Sequence, residues 1–211
     1  TSDLRGRWLM NENPNGTICP LLHNKLGSAT EIGASEVGVS GTLIGTPTYS
    51  ACKFGNGIDG DRDNYARFDD AVTGAQFNAP ITFEMWVKPD YSSTDTSGIN
   101  ASILESFDDT INEWFSIVWG YNYPGYVDRF LISCYDYAGS GGSQALFPVT
   151  FSAGTPFHLA IILDQSQGAG SKIRLFFDGA EITASGTPNT ASWNFGNNGN
   201  LYTSSDLNNF D

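Results

Sequence analysis

Glu84, Trp86 and Lys88 set a carboxylate, an indole and an ammonium on one side of the run Ile81 to Pro89, while Phe83, Met85 and Val87 fall on the other. That trio offers acid, stacking and charge. Hydrolysis by carboxylates needs a second acid at a fixed separation, and none shares the face of Glu84. The chain has two histidines, His23 and His158, and neither stands in a nucleophile–base pattern. An enzyme is therefore not expected. Two other clusters carry chemistry. Trp114, Phe115, Trp119, Tyr121, Tyr123, Tyr126, Tyr135 and Tyr137 crowd one segment, and aromatic rings with polar edges suit the apolar face of a sugar. Acidic residues gather at Asp59, Asp61 and Asp63, at Asp69-Asp70, at Asp108-Asp109 with Asn112, and at Asp206 with Asp211. Several oxygens drawn from loops are what a hard divalent cation needs. The same residues also favour plain turns, because Asp and Asn bond their own backbone.

Short strands must position these groups. Gly, Pro, Asn, Ser and Thr separate apolar runs of strand length, and helical periodicity is largely missing. The sequence predicts an all-β fold, a two-sheet antiparallel β-sandwich of jelly-roll type, as one domain over residues 1–211. Strands are expected at Leu4 to Met10, with Trp8 anchoring the core, at Tyr65 to Phe68, and at Ile81 to Pro89. Further strands are expected at Ser102 to Phe107, Glu113 to Tyr121, Arg129 to Tyr137 and Phe147 to Phe151. Residues 11–50 read as a long excursion with one or two edge strands. Phe157 to Ile182 reads as a hairpin followed by a two-residue Asp178-Gly179 turn. Along Glu113 to Tyr121, Phe115, Ile117, Trp119 and Tyr121 share one face and Trp114, Ser116 and Val118 the other, so one set must be core.

With 10 Lys+Arg against 23 Asp+Glu, the formal charge of -13 argues against nucleic acid or anionic lipid as a partner. No apolar run is long enough to cross a bilayer, so membrane insertion is not expected. Cys19 and Cys52 lie in loop-like surroundings and could pair if the chain is exported, whereas Cys134 reads as a small buried hydrophobe.

Phe83-Glu84-Met85-Trp86-Val87-Lys88-Pro89, His158-Leu159-Ala160-Ile161 and Ile173-Arg174-Leu175-Phe176-Phe177-Asp178-Gly179 resemble the strands of concanavalin A-like, laminin G-like jelly-roll domains, which include the pentraxins. Phe54 to Gly60 and Tyr65 to Phe68 resemble the segment that leads into them. The resemblance implies the jelly roll and is almost silent about ligand. Related glucanases carry paired acids on one strand, and that spacing is absent around Glu84. In the pentraxins calcium is held by an Asp-Asn pair before a strand and by an acidic loop near the C-terminus. The matching positions here are Asn112, with Asp108 or Asp109 in place of the Asp that Ile111 replaces, and Asp206. These form the candidate Ca2+ site. Asn200 to Thr203 matches the family's penultimate strand, but the closing strand is missing after Asp211. The expectation is a piece of a longer protein, or a sandwich completed by a strand from a neighbouring chain.

The expected function is a non-catalytic recognition module, carbohydrate-binding and lectin-like, in an extracellular, cell-surface or virion protein. Tyr121, Asn122, Tyr123, Tyr126 and Trp119 are its ligand-binding candidates. The alternative is a structural or adhesion domain whose partner is protein.

Overall fold

A computed structural model describes residues 7–12, 18–60, 63–94, 101–108, 113–120, 129–136, 141–186, 191–196 and 199–203, with the backbone alone at 7–12, 18–20, 107, 108, 136 and 141. In chain order the elements are β1 (Arg7–Glu12), β2 (Ile18–His23), α1 (Ala29–Ile32), β3 (Thr42–Ile44), β4 (Thr48–Cys52), β5 (Gly55–Asp59), β6 (Tyr65–Val72), α2 (Gly74–Asn78) and β7 (Ile81–Val87). They continue as β8 (Ala101–Asp108), β9 (Glu113–Trp119), β10 (Arg129–Asp136), β11 (Gly141–Pro148), β12 (Phe157–Leu163), β13 (Ile173–Phe177), β14 (Ala180–Ile182) and β15 (Gly199–Thr203). One sheet has the order β14-β13-β12-β7-β1-β2 and the other β11-β10-β9-β8-β15-β6-β3, with β4 and β5 as a separate hairpin. The pairings are antiparallel, for example β12 with β7, β8 with β9 and β15 with β6. This is the predicted two-sheet β-sandwich.

Alternation dictates the core. Ile81, Phe83 and Met85 of β7 and Phe157, Leu159, Ile161 and Leu163 of β12 point inward from one sheet. Phe115, Ile117 and Trp119 of β9 and Phe130, Ile132 and Cys134 of β10 point inward from the other. The sheets meet where the rings of Phe83 and Phe115 stack at 4.5 Å. Phe77 and Phe195 stack at 4.6 Å and close one end of the sandwich. At the other end Phe151 packs on Trp119 at 4.5 Å and on Phe157 at 5.1 Å.

Several boundaries differ from expectation. Among the described residues the first strand is Arg7–Glu12, running two residues past the expected end at Met10, and it pairs with β2, a strand in the stretch expected to be a loose excursion. The side chain of Trp8 lies outside the description. β11 takes in Gly141, Gly142 and Ser143 ahead of the strand expected at Phe147 to Phe151, and it ends at Pro148, so Val149 to Phe151 is not strand. A Cβ at Gly142 would run into Cδ1 of Tyr135, so the ring lies directly over this glycine. Thr73 caps the short α2 with a reciprocal bond pair to Gln76, a helical turn that periodicity cannot reveal in five residues. Cys52 carries a free, half-buried thiol, and of Cys19, the partner it could have if the chain is exported, the backbone alone is described. The acidic stretch expected ahead of a closing strand, residues 205–211, lies outside the described residues.

Candidate functional site

Register builds a line of side chains that no single strand shows. Thr42 faces Arg67, Arg67 faces Tyr202, Tyr202 faces Glu105, Glu105 faces Ser116, Ser116 faces Ser133 and Ser133 faces Gln144. These seven residues form one row across the outer face of the seven-stranded sheet, because opposed residues share a face. The middle of the row is buried: Glu105 and Ser133 are 0% exposed and Ser116 is 1% exposed. Arg67, Tyr202 and Gln144 are half-buried. The Arg67 guanidinium is engaged by Asp69, with Nε 2.8 Å from its Oδ1.

Aromatic pairs flank this line. Tyr65 and Tyr202 meet edge to face at 5.9 Å, on β6 and β15. Trp114 and Tyr135 stack at 6.2 Å with their planes 30° apart, on β9 and β10. All four are half-buried, so the face presents apolar rings together with the accessible polar ends of the row, Thr42 and Gln144, around a buried polar centre. Ser102 on β8 lies opposite Val118 and is 9% exposed. Among the described residues neither the Ser102 nor the Ser116 hydroxyl finds a hydrogen-bond partner.

The expected site residues fare differently. Trp119 is corrected: it is 1% exposed, with its indole on Phe130 at 4.8 Å, and is a core residue rather than a ligand contact. Parity explains this, since Phe115 and Ile117 face inward with it. Tyr121, Asn122, Tyr123 and Tyr126 lie outside the described residues, in the connection from β9 to β10. Asp109, Asn112 and Asp206 also lie outside them, and of Asp108 the backbone alone is described. Asp108 pairs with Glu113 at the first end of β9, and Trp119 stands at the other end of that strand, about 20 Å along it. Among the described residues no three His, Cys, Asp or Glu side chains gather to hold a metal ion.

Glu84 is engaged on the outer face of the other sheet. His158 Nε2 lies 3.1 Å from its Oε1, and the imidazole packs on Trp86 at 5.2 Å. Phe54 and Lys53, at the tip of the β4–β5 hairpin, cover Trp86 from outside. Glu181 shares the row of Glu84, but three strand spacings, about 14 Å, separate them. Arg174 holds Glu181 through two bonds of 2.7 and 2.8 Å. Bond hydrolysis by two carboxylates takes about 5 to 9.5 Å.

Residues 59–211 match the family model of the concanavalin A-like lectin/glucanases superfamily. The chain belongs to that superfamily. No curated protein matches it. Among solved structures, domain 4 of AbnA, a GH43 extracellular arabinanase from Geobacillus stearothermophilus, in complex with arabinotriose, is 18% identical at a TM-score of 0.54. That likeness covers 97% of this chain and 85% of the other. The binding domain of botulinum neurotoxin serotype G is 10% identical at a TM-score of 0.51, over 96% of this chain and 48% of that one. At such identities the likeness is one of fold. The superfamily carries the jelly roll that the strand motifs resembled.

Proposed function

We propose that the protein is a non-catalytic carbohydrate-recognition module of an extracellular or surface-exposed protein. The observation that carries this is the outer face of the seven-stranded sheet, where two half-buried aromatic pairs stand on the same face as the accessible polar side chains of Thr42 and Gln144. Rings stack on the apolar faces of sugars while such polar groups fix their hydroxyls. The wide separation of Glu84 and Glu181, each already engaged by a cation or an imidazole, supports binding without hydrolysis. The arabinotriose bound by the AbnA domain supports a glycan ligand for this one.

The connection after β9, with Tyr121, Asn122, Tyr123 and Tyr126, supplies further ligand contacts in this proposal. A calcium ion at Asp108, Asp109 and Asn112 would order the β8–β9 turn. Its supporting feature is register, which sets Asp108, Glu113 and Asp136 on three adjacent strands. Such a site would stand apart from the tyrosines and act on stability rather than on sugar contact. Millimolar calcium is expected to raise the melting temperature relative to chelator, and an unchanged melt removes the metal from the account.

A glycan array tests the main claim. Binding to neutral glycans that weakens strongly in Tyr202→Ala and Tyr123→Ala is expected. No binding to any glycan, with concentration-dependent self-assembly, contradicts it and favours a structural adhesion domain.

A further inference from the structure

The β4–β5 hairpin stands apart from both large sheets. Among the described residues its strands pair only with each other, and neither a ladder nor an isolated bridge joins them to a neighbour. A lone two-stranded hairpin is at best marginally stable in water, so side chains must hold this one in place. Gly55, at φ +95, makes the turn that presents Lys53 and Phe54 at the tip. Phe54 meets Trp86 edge to face at 5.3 Å, the Lys53 ammonium lies 5.3 Å from the centre of the same ring, and Lys88 Nζ donates to the Ala51 carbonyl at 2.7 Å. At the root, Tyr49 and Ile58 face each other across the hairpin and pack against the core. The Tyr49 hydroxyl is buried there and finds no partner among the described residues.

Two features set the closed hairpin close in energy to an open one. No residue from 48 to 59 is fully buried, whereas Phe83 and Met85 of β7 and Leu159 and Ile161 of β12 are. Local opening draws on segments with few buried apolar contacts. The unmet Tyr49 hydroxyl is a cost that exists only while the hairpin is down, because water satisfies it once the hairpin lifts. The tip contacts of Lys53 and Phe54 share one ring, so they are lost together. We infer that the β4–β5 hairpin is a strap that lifts as one unit from the Trp86 end of the six-stranded sheet, with both sheets intact, and so gates access to the indole and to the His158–Glu84 pair beside it. Closed, Lys53 and Phe54 occupy the ring that an outside molecule would touch. Open, the surface offers an indole next to an imidazole and a carboxylate. The inference is independent of the carbohydrate reading, which concerns the other sheet.

Native-state hydrogen exchange of the whole chain, followed residue by residue by NMR, tests the strap in the wild type, Phe54→Ala and Tyr49→Phe. In the wild type the ladder amides of residues 48–59 are expected to exchange at least about a hundredfold faster than those of β7 and β12. Phe54→Ala is expected to speed exchange about tenfold from tip to root, at Tyr49 and Ile58 as at Cys52, and to leave β7 and β12 unchanged. Tyr49→Phe removes the unmet hydroxyl and is expected to slow exchange in the strap by about fivefold, the opposite of losing an ordinary buried contact. Strap amides that exchange no faster than β7 and β12, acceleration in Phe54→Ala confined to residues 52–55, or strap exchange in Tyr49→Phe no slower than in the wild type overturns the inference.

Discussion

Asn24 is fully buried and organises the stretch between β2 and β3. Its Nδ2 donates toward the carbonyls of Glu31 at 2.9 Å and Ile32 at 3.0 Å and toward the Ser35 hydroxyl, while its Oδ1 accepts from the Leu26 N–H. Leu26 stands at φ +56, a left-handed conformation a branched side chain seldom adopts, and that last bond helps hold it there. Asn24→Ala is expected to cost about 1 to 3 kcal/mol in urea unfolding, because buried carbonyls lose their donor. Cys134 was legible as a buried hydrophobe because it alternates with Phe130 and Ile132 on β10. Burial pushes its thiol up, well beyond the ordinary range, so the thiolate that reacts is absent from the folded protein. Under native conditions Cys134 is expected to resist a thiol reagent that labels Cys52, with Cys134 becoming reactive on unfolding. Comparing wild type with Cys134→Ala in urea reads this directly. Trp119 shows the limit of residue type as a guide: an indole in an aromatic-rich segment suggested a sugar contact, and strand parity assigned it to the core.

At the scale of elements, α2 and the segment 191–196 act together. Asn78 bonds the backbone of Phe195 in both directions, at 2.8 and 2.9 Å, and Trp193 Nε1 donates to the Phe77 carbonyl at 3.0 Å. The capping box at Thr73 fixes where this helical turn begins, so Thr73→Ala is expected to lower stability by about 1 kcal/mol, measured by chemical denaturation. The strands around Phe83, Ile161 and Leu175 were readable, because period-two alternation survives wherever one face is core and the other is not. The Asp178-Gly179 turn was readable for another reason: φ values of +48 and +83 are what that residue pair tolerates. β2, the β4–β5 hairpin and the start of β11 were hidden. Their residues Pro20, Gly55, Gly57 and Gly142 lack strand propensity, and pairing rather than preference makes them extended. The polar row escaped for a topological reason. β15 inserts between β8 and β6, so Tyr202 reaches Arg67 and Glu105 across more than ninety residues of sequence, and no local pattern encodes that.

For the molecule as a whole, ionisation bounds stability on both sides. Hydrogen bonds from Lys25 and from Arg174 hold the carboxyls of Glu36 and Glu181 below the usual range. Asp164 is also lowered: burial opposes this, but bonds from Ser166 and Gln167 outweigh it. Such groups stabilise above their unfolded pKa and lose that contribution as pH falls through the folded value, so melting temperature is expected to drop below about pH 4.5. The loss should be modest, since exposed pairs are screened by water. Burial raises Cys134 and Tyr91. Their contribution is complete below the unfolded pKa and declines as pH rises past about 8.5 to 10, where the unfolded thiol and phenol ionise first. A melt series across pH should thus trace a dome with its top near neutrality, and a flat profile would contradict the burial of these two groups. Function belongs to this scale too, because the candidate face draws on all seven strands of one sheet. The most direct test is to incubate the protein with a neutral linear glycan, measure binding by calorimetry, and recover the sugar. Saturable binding, weakened at least tenfold by Tyr202→Ala, with every glycan recovered at its starting length, is the predicted result; cleavage of the sugar, or no binding to any neutral glycan, contradicts the account.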